Sequence, residues 1–172
     1  MGRSSRKAVV IGGGITGSLV GHALRQTGWQ VSLLEAAHVG AGSSSRTAAG
    51  IRQQFSTRET VLGMQYSTQF YSRWREEIGG DQSPIQQNGY LFLFNTEDSF
   101  QEARTRSLSQ QSWGLVEVEA LEKASLIERF PFVEPDNVVG GTWCPTDGFL
   151  RPETIYNDAI EALRRNGGEI HQ

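Results

Sequence analysis

The sequence predicts an α/β fold, and three observations predict it. The first is a β-branched run, Ala8-Val9-Val10-Ile11, of the kind that fills a buried parallel strand. The second is its abrupt end in Gly12-Gly13-Gly14-Ile15-Thr16-Gly17, which has the form G-x-G-x-x-G. The third is the change of period that follows. From Ile15 to about Gln26 the apolar residues Ile15, Leu19, Val20, Ala23 and Leu24 share one helical face, and Gly28 stands at a helix stop. Trp29 to Leu34 then runs apolar as a second strand that ends at Glu35. Strand, glycine turn, helix and strand make the βαβ unit of a Rossmann-like fold.

Each residue type in the glycine turn has a physical task. Gly12 allows the tight turn, Gly14 lets backbone approach a pyrophosphate with no Cβ in the way, and Gly17 lets the helix pack close to the strand. Phosphates would rest on unpaired N–H groups at the helix start, where the macrodipole also favours negative charge. Glu35 lies 23 positions after Gly12. A carboxylate there can accept both hydroxyls of an adenosine ribose and repel a 2′-phosphate. This context marks a dinucleotide site, and it admits FAD and NAD alike.

The segment from Gly40 to Phe55 is too polar and glycine-rich for a packed helix. It reads as a loop with hydroxyls, small residues and two guanidiniums, suited to wrapping an extended phosphorylated ligand, with a flexible linker as the plainer alternative. The run Val9 to Gly17, then Glu35, then Gly42-Ser43-Ser44-Ser45-Arg46 leading into Ala49-Gly50-Ile51-Arg52, resembles the N-terminal part of a known family. It is the D-amino-acid oxidase and glycine/sarcosine oxidase family of FAD-dependent oxidoreductases. Asn88-Gly89-Tyr90-Leu91-Phe92-Leu93 and Thr146-Asp147-Gly148-Phe149-Leu150-Arg151-Pro152 resemble it too, so the likeness covers nearly the whole chain.

The resemblance implies FAD as cofactor. Gly12, Gly14, Ile15 and Thr16 would contact its pyrophosphate with Gly17 closing the motif, Glu35 its ribose, and Ser44, Ser45 and Arg46 its adenine end or phosphates. Ala49, Gly50 and Ile51 would run beside the flavin ring. The implied reaction is oxidation of a small amine or amino acid, or less directly a hydroxy acid, beside a carboxylate, by hydride transfer to flavin. Arg52 would be the catalytic residue that pairs the carboxylate; an exposed or ion-paired arginine is its ordinary alternative. The family's flavin-linking cysteine lies downstream of every position here, so Cys144 reads as a small buried hydrophobe.

The remaining elements follow in order. Thr57 to about Ile78 carries apolar residues at roughly helical spacing and stops at Gly79-Gly80. Gly89 to Phe94 reads as a strand of a second, antiparallel sheet. Thr96 to Trp113 reads as a polar helix with Glu97 and Asp98 in its first turn. Val116 to Val118 and Val138 to Trp143 read as short strands, separated by a helical stretch from Ala120 to Arg129 that Pro131 stops. Pro152 opens a helix with Ile155, Ala159, Ile160 and Leu163 on one face, and Glu169 to His171 begins a strand. By resemblance, residues 1–80 are the N-terminal part of an FAD-binding domain and 81–145 part of an inserted antiparallel α+β substrate-binding domain. Residues 146–172 return to the first domain. Family members are longer, so the chain reads as truncated, with a C-terminal remainder or partner chain implied.

Composition narrows the classes. Sixteen basic against nineteen acidic residues, with no long like-charge run, argue against nucleic acid. One cysteine excludes a disulfide scaffold and fits the cytoplasm. Arg3, Arg6 and Lys7 before an apolar run imitate a signal peptide, but Gly12, Gly13, Gly14 and Gly17 interrupt it well short of the roughly 20 residues of a membrane span. His22, His38 and His171 have no ligand-like spacing, so no metal site is expected. Two other functional readings stand beside the oxidase. One is a catalytically inactive fragment of such an enzyme. The other is an NAD-dependent dehydrogenase, which gives the loop from Ser43 to Arg52 no purpose.

Overall fold

The computed structural model describes residues 6–172, so Arg3 of the signal-like run lies outside the described residues. In chain order β1 (Lys7–Ile11) leads to α1 (Ile15–Gln26) and β2 (Gln30–Leu34), then to a 3-10 turn (Ser43–Arg46) and the short β3 (Gly50–Ile51). Next come α2 (Arg58–Ser72), α3 (Trp74–Glu77), β4 (Ile85–Gln86), β5 (Tyr90–Phe94) and α4 (Glu97–Ser112). After them follow β6 (Glu119–Glu122), α5 (Lys123–Arg129), a second 3-10 turn (Pro135–Asn137) and β7 (Gly140–Cys144). The order ends with β8 (Gly148–Leu150), α6 (Pro152–Arg165) and β9 (Glu169–His171). Among the described residues no helix is long and apolar enough to cross a membrane.

These elements form two compact units. The first combines the described residues up to Ala49 with Ser72–Pro84 and Leu150–Gln172; the second combines Gly50–Tyr71 with Ile85–Phe149. The sequence expectation held residues 1–80 together, and the structure divides them at Ala49. The reason is burial: Val61 of α2 packs with Leu115, Val118 and Cys144, all of the second unit.

In the first unit β1, β2 and β9 form a parallel sheet in the order β1-β2-β9, with Ala8 opposite Val31 and Leu33 opposite Ile170. Ala8, Val10, Val31 and Leu33 pack one face of it against Ile160 and Leu163 of α6 and Leu24 of α1. Ile155, Ala159, Ile160 and Leu163 are buried as their spacing predicts. At Gly21 an added Cβ would sit 3.0 Å from Leu163 Cδ2, so this glycine sets how closely α1 and α6 approach. The opposite sheet face leaves Val9 64% and Ile11 85% exposed.

In the second unit β5, β7 and β6 form an antiparallel sheet in which Phe92 and Ala120 both pair with Thr142. Phe100 of α4 covers one face over Gly140, where a Cβ would lie 2.6 Å from the ring. Leu126 of α5 joins Leu91, Leu121 and Trp143 on the other. Thr96 caps α4 by accepting from the Ser99 N–H. A second small sheet has the order β3-β8-β4, with Ile51 opposite Gly148.

Three expectations change. The helix predicted from Thr57 to Ile78 breaks at Arg73, whose ψ of 28° lies outside the helical range, giving α2 and α3. Val116 to Val118 is a turn, because Val118 turns inward to the Val61 and Leu115 cluster while Val116 stays 67% exposed. Ala120 to Glu122, read as helical, is strand because it pairs with β7, and the helix begins at Lys123.

Candidate cofactor cradle and anion cavity

The glycine turn bends where β1 ends. Gly12 has φ +102°, a backbone open chiefly to glycine, and its N–H donates to Leu34 O at 2.7 Å. At Gly17 an added Cβ would collide with the Gly12 carbonyl oxygen, so α1 can start beside β1 only with glycine there. At Gly14 a Cβ would meet Ser44 Oγ at 2.8 Å. Ser44, from the 3-10 turn, accepts from the Ile15 N–H at 3.1 Å. Its hydroxyl therefore marks the place at the α1 start where an acceptor oxygen binds. No acidic residue stands in the first turn of α1 itself, so the helix adds no negative charge of its own at this start.

Glu35 closes the other side. Its carboxylate accepts from the Gly13 N–H at 2.7 Å through Oε2 and from the Ala37 N–H at 2.9 Å through Oε1. These bonds, the Gly13 bond first, hold its carboxyl below the ordinary glutamate value. The structure thus brings Gly12, Gly14, Ile15, Gly17, Glu35 and Ser44 to one place, with Thr16 exposed on the same helix turn. Ser45 and Arg46 follow in the 3-10 turn with exposed side chains; Ser45 Oγ bonds only locally, to Gly42 O at 3.3 Å. Ala49 has φ +57°, the one non-glycine among the described residues with positive φ, and lies in the first unit. Gly50, Ile51 and Arg52 belong to the second.

Arg52 lies beside a cavity of about 370 Å³ within the second unit. Its guanidinium carbon is 5.0 Å from the Phe55 ring centroid and 5.5 Å from that of Phe92. Such stacking holds a cation while leaving its N–H edge free. Gln54, Phe94, Arg106 and Gln110 also line this cavity, and no carboxylate does.

Asp147 anchors the segment that carries Arg52. It is fully buried and accepts from the Gln53 N–H at 2.7 Å and from the amides of Gln53 and Gln54 at 3.1 Å each. Burial pushes its carboxyl above the ordinary aspartate value. In the sequence Asp147 stands only as one acid of the Thr146–Pro152 motif, with no role of its own; the available signal is a single acid before Gly148, three residues after Cys144. Cys144 is fully buried, and burial pushes its thiol up to about 11, which makes it the inert hydrophobe expected.

The cradle fits a dinucleotide pyrophosphate on three counts. It has a glycine position that a Cβ would fill, a helix start that already bonds a hydroxyl oxygen, and a carboxylate at the end of β2. Residues 7–172 match the family described as FAD dependent oxidoreductase, DAO. The chain belongs to the DAO family of FAD dependent oxidoreductases. FAD is that family's cofactor, which decides between the two dinucleotides that the fingerprint admits.

Among curated relatives of this DAO-family chain, mitochondrial dimethylglycine dehydrogenase of Rattus norvegicus is 28% identical over 163 residues, 94% of this chain and 19% of that protein. Glycine oxidase of Bacillus subtilis (strain 168) is 26% identical over 175 residues, 96% of this chain and 45% of that protein. Among solved structures, L-proline dehydrogenase from P. horikoshii matches with a TM-score of 0.85 at 28% identity, covering 100% of this chain and 45% of that one. The chain therefore spans less than half the length of each of these relatives.

Proposed function

We propose that the protein oxidises an amine or amino acid at the C–N bond beside a carboxylate, with FAD seated on the Gly12–Gly17 turn and Glu35. The observation that carries the substrate half is Arg52, stacked on Phe55 and Phe92 at a cavity with no lining carboxylate. A planar guanidinium pairs a carboxylate through two parallel bonds and so fixes the neighbouring carbon in orientation as well as position. Glycine oxidase and dimethylglycine dehydrogenase, by their names, act on amines of this kind.

When bound, flavin supplies the electron sink for the hydride. Gly12, Gly14, Ile15, Thr16 and Gly17 would hold its pyrophosphate, Glu35 its ribose, Ser44, Ser45 and Arg46 its adenine end or phosphates, and Ala49, Gly50 and Ile51 would run beside its ring. Asp147 keeps the backbone of Gln53 in place and thereby sets where Arg52 stands. The reacting substrate is the free amine, so the rate rises with pH as the substrate ammonium loses its proton. The cytoplasm as compartment belongs to the same reading and rests on the single buried cysteine.

Anaerobic mixing of the FAD-loaded protein with a panel of amino acids and their methyl esters tests this reading. Loss of the flavin's yellow colour with an acid, much reduced with its ester, is the expected result. Equal bleaching by acid and ester, or none with any amine, contradicts it.

A further inference from the structure

The cavity beside Arg52 carries a second guanidinium. Ala103, Arg106, Ser107 and Gln110 stand at i, i+3, i+4 and i+7 on α4 and share one helix face. Ala103, Ser107 and Gln110 are buried, and Gln110 Nε2 donates to Phe55 O at 2.7 Å, tying this face to the segment that bears Arg52. The small side chains of Ala103 and Ser107 leave open space in front of Phe92 and Phe94, and Arg106 borders it.

Two of the other three arginines of this unit have carboxylate partners, and the third, Arg58, does not line the cavity. Arg104 lies 3.0 Å from Glu122 and Arg129 3.0 Å from Glu119. Among the described residues Arg52 and Arg106 have no such carboxylate partner. Both guanidiniums border the cavity, no acid lines it, and one carboxylate pairs bidentately with only one of them. The volume of 370 Å³ falls within the roughly 300–1,000 Å³ of small-molecule sites. Phe55, Phe92 and Phe94 add apolar wall for the carbons between two charged ends.

We propose that the substrate carries a second carboxylate, held by Arg106, so that the protein selects a dicarboxylic amino acid over its neutral amide. This rests on the reading of Arg52 as the anchor of the first carboxylate. Arg106 is then a specificity-determining residue, and it reaches the substrate from a different element than Arg52 does.

Calorimetric titration of the 172-residue chain with both enantiomers of glutamate and of glutamine tests the proposal, because the two compounds share shape and differ in the distal charge. Glutamate should bind about tenfold or more tightly than glutamine, the size of one charge-assisted contact. Arg106→Gln should erase that ratio and leave glutamine affinity unchanged, and Arg106→Lys should restore part of it. Arg52→Gln should weaken both ligands. Arg106 is exposed, so these substitutions spare the core, and circular dichroism checks that the fold is kept. Equal affinity for the two compounds in the unaltered protein, or a preference that survives Arg106→Gln, overturns the proposal and leaves the Arg52 reading standing. If FAD binds while neither amino acid does, the Arg52 reading fails and this proposal fails with it.

Discussion

Asp147 accepts from three N–H donors and forms no ion pair among the described residues, so hydrogen bonds hold its carboxylate. Removing the side chain leaves buried donors of Gln53 and Gln54 unpaired, and Asp147→Ala should therefore lower stability by about 2–3 kcal/mol in chemical denaturation. An unchanged denaturation midpoint would show that the amides find other partners. Glu35 differs because its carboxyl is held below the ordinary value. Its stabilising effect is complete above the unfolded-state value and disappears as pH falls through the lower, folded one. Thermal midpoints measured against pH should fall in acid, and Glu35→Gln should remove that part of the fall. Gly12, Gly14, Gly17 and Glu35 were legible in the sequence because their task is local backbone geometry at a fixed spacing. Asp147 and Arg106 were not, since Asp147 bonds the Gln53 backbone and Arg106 borders a cavity, each meeting residues distant in sequence.

α1 depends on one close approach. In Gly17→Ala the new methyl meets the Gly12 carbonyl oxygen, so α1 must shift away from β1. The cost should be roughly 1–3 kcal/mol, and flavin retention should fall with it; a variant as stable and as yellow as the parent would contradict the packing described. The first βαβ unit and α6 were readable from periodicity, because each buries a face against its neighbours in the same unit. β6 was misread as the start of a helix because Glu119–Glu122 is stabilised by pairing with β7, a partner some twenty residues on. β4 and β8 are two and three residues long, too short to show a period. The break at Arg73 separates α2 from α3 where the chain passes between compact units, which no local pattern announces.

The parallel sheet is covered by α1 and α6 on one face and bears Val9 and Ile11 on the other, 64% and 85% exposed. Parallel sheets ordinarily have both faces covered, so the isolated chain should bind the apolar dye ANS, and Ile11→Lys should reduce its fluorescence without unfolding the protein. Undiminished fluorescence would place the dye elsewhere. The two units divide the chain at Ala49, inside the segment expected to run along FAD. The proposed site seats FAD on the Gly12–Gly17 turn and Glu35. Calorimetric titration of FAD into the unaltered protein, Glu35→Ala and Gly14→Val tests it most directly. Saturable binding that weakens severalfold in Glu35→Ala and is lost in Gly14→Val is expected; equal affinity in all three proteins, or no binding by the unaltered one, would contradict this site.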